Sequence, residues 1–234
     1  MTPTYLKKIV LKAEHVDFTR KLRPSVLMRF FQESCIAHTE ELGMGRKMTL
    51  DKGFLWIVNS EHIDIKRMPE YDEEITIVNY PGKTLHYFLP RHFIIKDKNN
   101  ETIIEITAMW SLIDEKTRQI IDPGENGIII NGKDEGNEIP PIMGLPPMDL
   151  KNKKEIVANY SLVDINGHLN NASYIDIVFD LVDYEIIKSK SLKKIYCIFK
   201  KEIPLGEKVE ISYDNKDLIY NFQSPYFAIK LIFE

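Results

Sequence analysis

The chain is poor in cysteine: Cys35 and Cys197 are the only two, and most of the sequence separates them. That spacing builds neither a disulfide scaffold nor a zinc knuckle, and it fits a reducing cytoplasm. No apolar run approaches the roughly 20 residues that cross a bilayer. The opening stretch MTPTYLKKIVLKAE is broken by charge too often to be a secretory apolar region, so a cytoplasmic location is expected. An excess of basic residues is also lacking. Thirty-one Lys and Arg stand against 35 Asp and Glu, a net charge of −4, which is the wrong sign for neutralising a phosphate backbone. GxGxxG and GxxxxGKS loops are absent, and His15, His38, His62, His86 and His92 make no HxH or HExxH spacing. No nucleotide cofactor, catalytic metal or nucleic-acid partner is therefore expected.

What is present is an ordinary globular composition, 44% hydrophobic and 28% charged, over 234 residues. Glycine and proline are unevenly spread. Asp122–Leu150 holds five of each, in turns such as DPGENG, NGKDEG and GLPP with little periodic apolar pattern to bury. This divides the chain into a unit 1–121, a linker 122–150 and a unit 151–234.

In the first unit Pro24 suits a first helical turn, and Leu27, Phe31, Cys35, His38 and Leu42 follow at helical spacing until Gly43. Then come the β-branched and aromatic segments FLWIVNSEHIDI, EITIVNY, TLHYFLPRHFIIK and TIIEITAMWSLI, which read as four strands of an antiparallel meander. After the linker the order repeats: EIVANYSLVD, one helical pattern through Ile175, Val178, Val182 and Ile186, then KKIYCIFKKEI, KVEISY, DLIYNF and YFAIKLIFE. A shift of 147 sets Asp17 on Asp164, Leu22 on Leu169 and Met28 on Ile175. A shift of 135 sets Met68-Pro69 on Ile203-Pro204. The fold class is thus α+β, with two tandem units. Each wraps an antiparallel sheet around a long helix, and the two pair edge to edge as a pseudo-dimer within one chain.

Polar side chains concentrate in Asp164-Ile165-Asn166-Gly167-His168-Leu169-Asn170-Asn171, between a strand end and a helix start. Asn170 or Asn171 can cap that helix, its N-terminus can stabilise a developing oxyanion, and His168 can titrate near neutrality. Glu202 ends the strand KKIYCIFKKEI, in the place that Arg67 holds in the first unit, and can orient or deprotonate water. The equivalent first-unit turn, Asp17-Phe18-Thr19-Arg20-Lys21-Leu22-Arg23-Pro24, has neither histidine nor asparagine, so one site per chain is expected. Trp56 and Trp110 read as core residues, and Cys197, in an apolar run, as an inert small hydrophobe.

These residues together resemble the acyl-acyl carrier protein thioesterases, the double-hotdog family of plastids and bacteria, over nearly the whole chain. DINGHLNNASYID matches the family's D-x-N-x-H-x-N-N-x-x-Y motif, and FKKEI matches the strand with its essential glutamate. WIVNSEHIDIKRMPEYDEEITIVNYP and WSLID support the match. The resemblance implies two hotdog folds, the first holding the acyl chain and the second hydrolysing it. It carries over Asp164, Asn166, His168 and Glu202 as catalytic residues. Ile203 stands where many members have cysteine after the glutamate, which leaves water as the nucleophile. The expected partner is acyl carrier protein bearing a phosphopantetheine-linked acyl chain. Being acidic by the resemblance, it would dock on Arg20, Lys21 and Arg23 or on Lys200 and Lys201. The same residues leave open an acyl-CoA thioesterase with the same site, or a non-catalytic acyl-binding hotdog protein. They also leave open the division of the base role between Glu202 and His168, and a homodimer through the sheet edges.

Overall fold

The computed structural model describes residues 4–134, 136 and 149–234; of the linker, 135 and 137–148 lie outside the described residues. Ten strands form one antiparallel sheet in the order β1-β3-β4-β5-β2-β7-β10-β9-β8-β6. The first five are β1 (Tyr5–Val10), β2 (Phe54–Ile65), β3 (Glu74–Pro81), β4 (Phe88–Lys96) and β5 (Thr102–Asp114). The others are β6 (Asn152–Val157), β7 (Leu192–Phe199), β8 (Lys208–Lys216), β9 (Ile219–Gln223) and β10 (Phe227–Phe233). The helix α1 (Pro24–Glu41) runs along the inner face of the first half, and α2 (Asn171–Phe179) with the short α3 (Tyr184–Ser189) covers the second.

The reason α1 is so deeply embedded lies in its spacing. Pro24, Leu27, Met28, Phe31, Cys35 and His38 recur every three or four residues, and all are buried. Proline starts the helix at a position that needs no N–H, and Gly43 at φ +72° ends it in the left-handed region. Phe31 packs edge-on against Phe93 of β4 at 5.6 Å, fixing the helix against the sheet.

Four expectations from sequence are corrected. Neither half is a simple meander, because β2 pairs with β5 and not β3, and β7 pairs with β10 and not β8. The segment at 84–87 is a turn, so β4 starts only at Phe88. The single helical pattern after Asn171 is two helices, since the Asp183 side chain accepts from Glu185 N at 2.9 Å and caps a new start. The second repeat shift is 134, not 135. Leu22 N donates to Pro69 O and Leu169 N to Ile203 O, both at 2.8 Å, while Leu11 and Ala158 bond Glu73 and Glu207. Glu202 therefore corresponds to Met68, and Lys201 to Arg67.

The two halves meet around a pseudo-two-fold axis. On the sheet, β2 pairs with β7 and sets His62 against its counterpart Tyr196, with rings stacked at 4.3 Å. Above it, α1 meets α2 where Arg29 bonds its own counterpart, Asp176, at 3.0 Å. The outer edges are the lysine-bearing strands β1 (Lys7, Lys8) and β6 (Lys153, Lys154), a composition that opposes strand addition. Among the described residues, no helix is long and apolar enough to cross a membrane.

Candidate active site

The turn before α2 is built by its own aspartate. Asp164 Oδ1 accepts from Asn166 N at 2.8 Å and His168 N at 3.2 Å, while Gly167 takes φ +75° to let the chain reverse. The first half makes the same turn: Asp17 Oδ1 accepts from Thr19 N at 2.7 Å, and Arg20 sits at φ +62° in the place of Gly167. A carboxylate that does the same work where no histidine or asparagine follows is a turn-builder. Asp164 thus builds the turn that carries His168.

Asn170 caps α2 by accepting from Ala172 N at 2.8 Å, and its amide donates to Gln32 of α1 at 3.3 Å. The cap leaves the backbone N–H of Asn171, at the first helical position, without a partner among the described residues. That N–H carries the positive end of the helix dipole. The side chain of Asn166 is exposed and equally uncommitted.

Glu202 lies three residues beyond the end of β7, not on it. Its segment is held because Lys200 N and Lys201 N both donate to Tyr226 O, at 2.7 and 3.1 Å. Ile203 O accepts from Leu169, and Leu205 N donates to Gly167 O at 2.9 Å. This lacing to the Asp164 turn brings Glu202 Oε1 to 3.5 Å from His168 Nδ1, which has no other partner. The gap is longer than a hydrogen bond, as catalytic pairs often are before substrate closes them. Glu202 Oε2 meets Arg118 Nη2 at 3.1 Å. Arg118 belongs to the first half: Asp114 Oδ1 accepts from Lys116 N and Thr117 N, and the turn it makes puts Arg118 at φ +58° facing the other half.

All these groups border one cavity of about 750 Å³. Asp164, Asn166, His168, Asn171 and Glu202 line it from the second half; Thr39, Trp56, Arg91 and Trp110 line it from the first. Tyr174, one turn into α2, lines it too. Burial pushes its hydroxyl pKa up, and the charges of Glu202 and Asp164 push the same way. Arg46, Arg118, Lys200 and Lys201 also border the cavity, whereas Arg20, Lys21 and Arg23 do not.

The structure thus brings Asp164, Asn166, His168 and Glu202 to one cavity. Trp56 and Trp110 are corrected from plain core to cavity wall. Cys197 is buried in β7 opposite Glu61 and outside the cavity lining, and burial holds its thiol well above the ordinary range, so it is no nucleophile. Sequence reasoning missed Arg118, which no motif marks, and the free Asn171 N–H, which the helix start could have supplied. Among the described residues no three His, Cys, Asp or Glu cluster as metal ligands.

Two family models match the chain: the acyl-ACP thioesterase N-terminal domain over residues 3–125, and the acyl-ACP thioesterase C-terminal domain over residues 147–229. A chloroplastic acyl-acyl-carrier-protein hydrolase of Cuphea viscosissima is 22% identical over 213 residues, covering 85% of this chain and 52% of the relative. A chloroplastic oleoyl-acyl carrier protein thioesterase of Arabidopsis thaliana is 22% identical over 223 residues, covering 85% and 59%. The chain spans about half the length of the curated relatives it matches. An acyl-ACP thioesterase structure from Bacteroides thetaiotaomicron superposes with a TM-score of 0.82 at 21% identity, covering 99% of this chain and 98% of that one. The 12:0-ACP thioesterase from Umbellularia californica gives 0.84 at 17% identity, covering 99% and 97%. The likeness in structure is one of fold, and the fold is two tandem hotdogs.

Proposed function

Because the chain belongs to the acyl-acyl carrier protein thioesterase family, we propose that it hydrolyses acyl-acyl carrier protein to free fatty acid and holo carrier protein. The observation that carries the reading is the pairing of Glu202 with His168 at 3.5 Å, on the border of one large cavity and beside a helix start with a free N–H.

In this reading the first unit, 1–121, holds the acyl chain, the linker 122–150 spans between, and the second unit, 151–234, does the chemistry. The thioester carbonyl sits at the start of α2. Glu202 accepts a proton from water as the water oxygen bonds to the carbonyl carbon, and the C=O electron pair moves onto oxygen. The Asn171 N–H and the Asn166 amide receive that oxyanion. When the C–S bond breaks, the pantetheine sulfur takes a proton from His168, and Glu202 returns its proton to the imidazole. Asp164 holds the turn, and Arg118 holds Glu202 toward the carbonyl. No cofactor takes part.

Arg46, Arg118, Lys200 and Lys201 give the cavity a basic border that suits a phosphopantetheine phosphate and an acidic carrier. Carrier protein is the partner assigned to this chain. Two buried free thiols are compatible with a cytoplasmic enzyme.

The test is thiol release from matched carrier-protein and coenzyme A thioesters by wild type, Glu202→Gln and His168→Ala. Loss of about 10² or more in kcat for both folded variants, with carrier-protein substrates preferred, is expected. Wild-type turnover by either variant removes that residue from the chemistry. A coenzyme A preference reassigns the substrate.

A further inference from the structure

The cavity wall contributed by the first half is not simply apolar. Leu89, Arg91 and Phe93 alternate onto the inner face of β4, so an arginine points inward between two hydrophobes, with only 6% of its surface exposed. Two of its five N–H donors are engaged: Nη1 donates to His38 Nδ1 at 3.0 Å and Nη2 to Thr39 Oγ1 at 2.7 Å. Both partners are neutral acceptors. Arginine can only donate, so His38 Nδ1 accepts and the imidazole proton sits on Nε2, which is itself buried without a partner. Thr39 Oγ1 spends its own proton on Cys35 O at 2.7 Å.

No carboxylate reaches Arg91 among the described residues. The nearest in the sheet is Glu61, in the same transverse row but two strands away, because Arg91 pairs with Ala108 and Ala108 with Glu61. Two strand spacings put their backbones about 10 Å apart. The same wall holds two further donors with no acceptor. Trp56 Nε1 and Trp110 Nε1 are both buried and unpartnered, and both residues line the cavity. A saturated chain filling this space would leave three of the five guanidinium N–H groups and two indole N–H groups without an acceptor, and the cation without a counter-charge, which is costly.

Building on the thioesterase reading, we propose that the cavity selects acyl chains carrying a second, acceptor-only oxygen group beyond the thioester, an oxo or a carboxylate oxygen, with Arg91 as its main contact. A hydroxyl fits less well, since its own proton finds no acceptor among these donors.

The test uses binding, which does not depend on turnover. N-acetylethylenediamine monoamides of dodecanoic acid, of a positional series of oxododecanoic acids and of dodecanedioic acid, in which NH replaces the thioester sulfur, are titrated calorimetrically into the full chain. Their non-hydrolysable head replaces the free carboxylate that would otherwise compete for Arg91. At least one oxygenated amide is expected to bind about 10-fold more tightly than the plain one, and Arg91→Met should abolish the difference. Should Arg91→Met fail to fold, Trp56→Phe and Trp110→Phe, which remove one donor each, are expected to narrow it. Tighter binding of the oxo series or of the dioate identifies which group is read. Plain dodecanoyl amide binding as tightly as every oxygenated one, or a preference that Arg91→Met leaves intact, overturns the inference. Matched carrier-protein thioesters run in parallel separate the two readings. Selective binding without hydrolysis of any thioester strikes the thioesterase assignment alone, and hydrolysis without selectivity strikes only this one.

Discussion

Glu61 sits in β2 beneath both helices, 3% exposed, with Oε2 unpartnered, and replacing it with glutamine should change how stability depends on pH. Burial pushes its carboxyl from 4.5 up to about 8, so the folded protein keeps a proton that the unfolded chain releases between those values. Stability contributed by the neutral carboxyl is therefore full below pH 4.5 and declines as pH rises toward 8. His38 acts in the opposite sense. Burial and, secondarily, Arg91 lower it from 6.5 to about 4, so the unfolded chain gains a proton that the folded one refuses, and stability falls as pH drops through that window. From pH 4.5 to 6.5 the two slopes oppose each other; from 6.5 to 8 Glu61 acts alone. At about 1.4 kcal/mol per unit, that upper window is worth on the order of 2 kcal/mol. Urea denaturation at intervals from pH 5 to 8.5 reads it directly. Wild type should lose this amount between 6.5 and 8, while Glu61→Gln should stay level there, offset by a constant for the amide. A wild-type-minus-variant difference that does not change with pH would refute the reasoning.

Three further predictions follow from the site. Asp164→Ala and Asp17→Ala each remove the turn-building bond from the N–H two residues on, together with one further bond, and should each cost about 1 kcal/mol in denaturation, but only Asp164→Ala should lower kcat; equal effects on kcat would contradict its role as positioner of His168. Asn170→Ala removes the α2 cap and the Gln32 contact and should cost about 1–2 kcal/mol, with Asn170→Asp restoring most of it. Arg118→Gln breaks an exposed ion pair and should shift stability by less than about 1 kcal/mol while lowering kcat several-fold, with partial recovery in Arg118→Lys; an unchanged kcat removes Arg118 from the site.

How much of this was legible in the sequence depends on how locally each feature is encoded. The Asp164–Asn171 turn was readable because one short segment carries its builder, its left-handed glycine and its cap. The helix α1 was readable because its buried face repeats at helical spacing between a proline and a glycine. The order of strands was not, because β2 and β7 reach their partners across the sheet, and strand pairing at long range leaves no local mark. Residue alignment near Glu202 slipped by one because matching Pro69 to Pro204 is chemically attractive, whereas backbone bonding matches Pro69 to Ile203. Arg118 and Arg91 were invisible for different reasons. The first is an exposed arginine aimed by a distant half of the chain. The second reads as one polar position in an alternating strand, and only the assembled sheet shows that this position faces the cavity.

The contact between Arg29 and Asp176 has a consequence for how such a molecule can be put together. In an assembly of two identical subunits, whatever stands on the symmetry axis faces its own duplicate, and an arginine there would face an arginine. Opposite charges can meet at that point only when the two units differ in sequence, as two halves of one chain can. A chain cut in the linker and produced as two polypeptides should accordingly reassemble as a mixed pair in preference to either self-pair. The same freedom lets one turn carry His168 where its twin carries Lys21, a difference that two identical subunits could not hold.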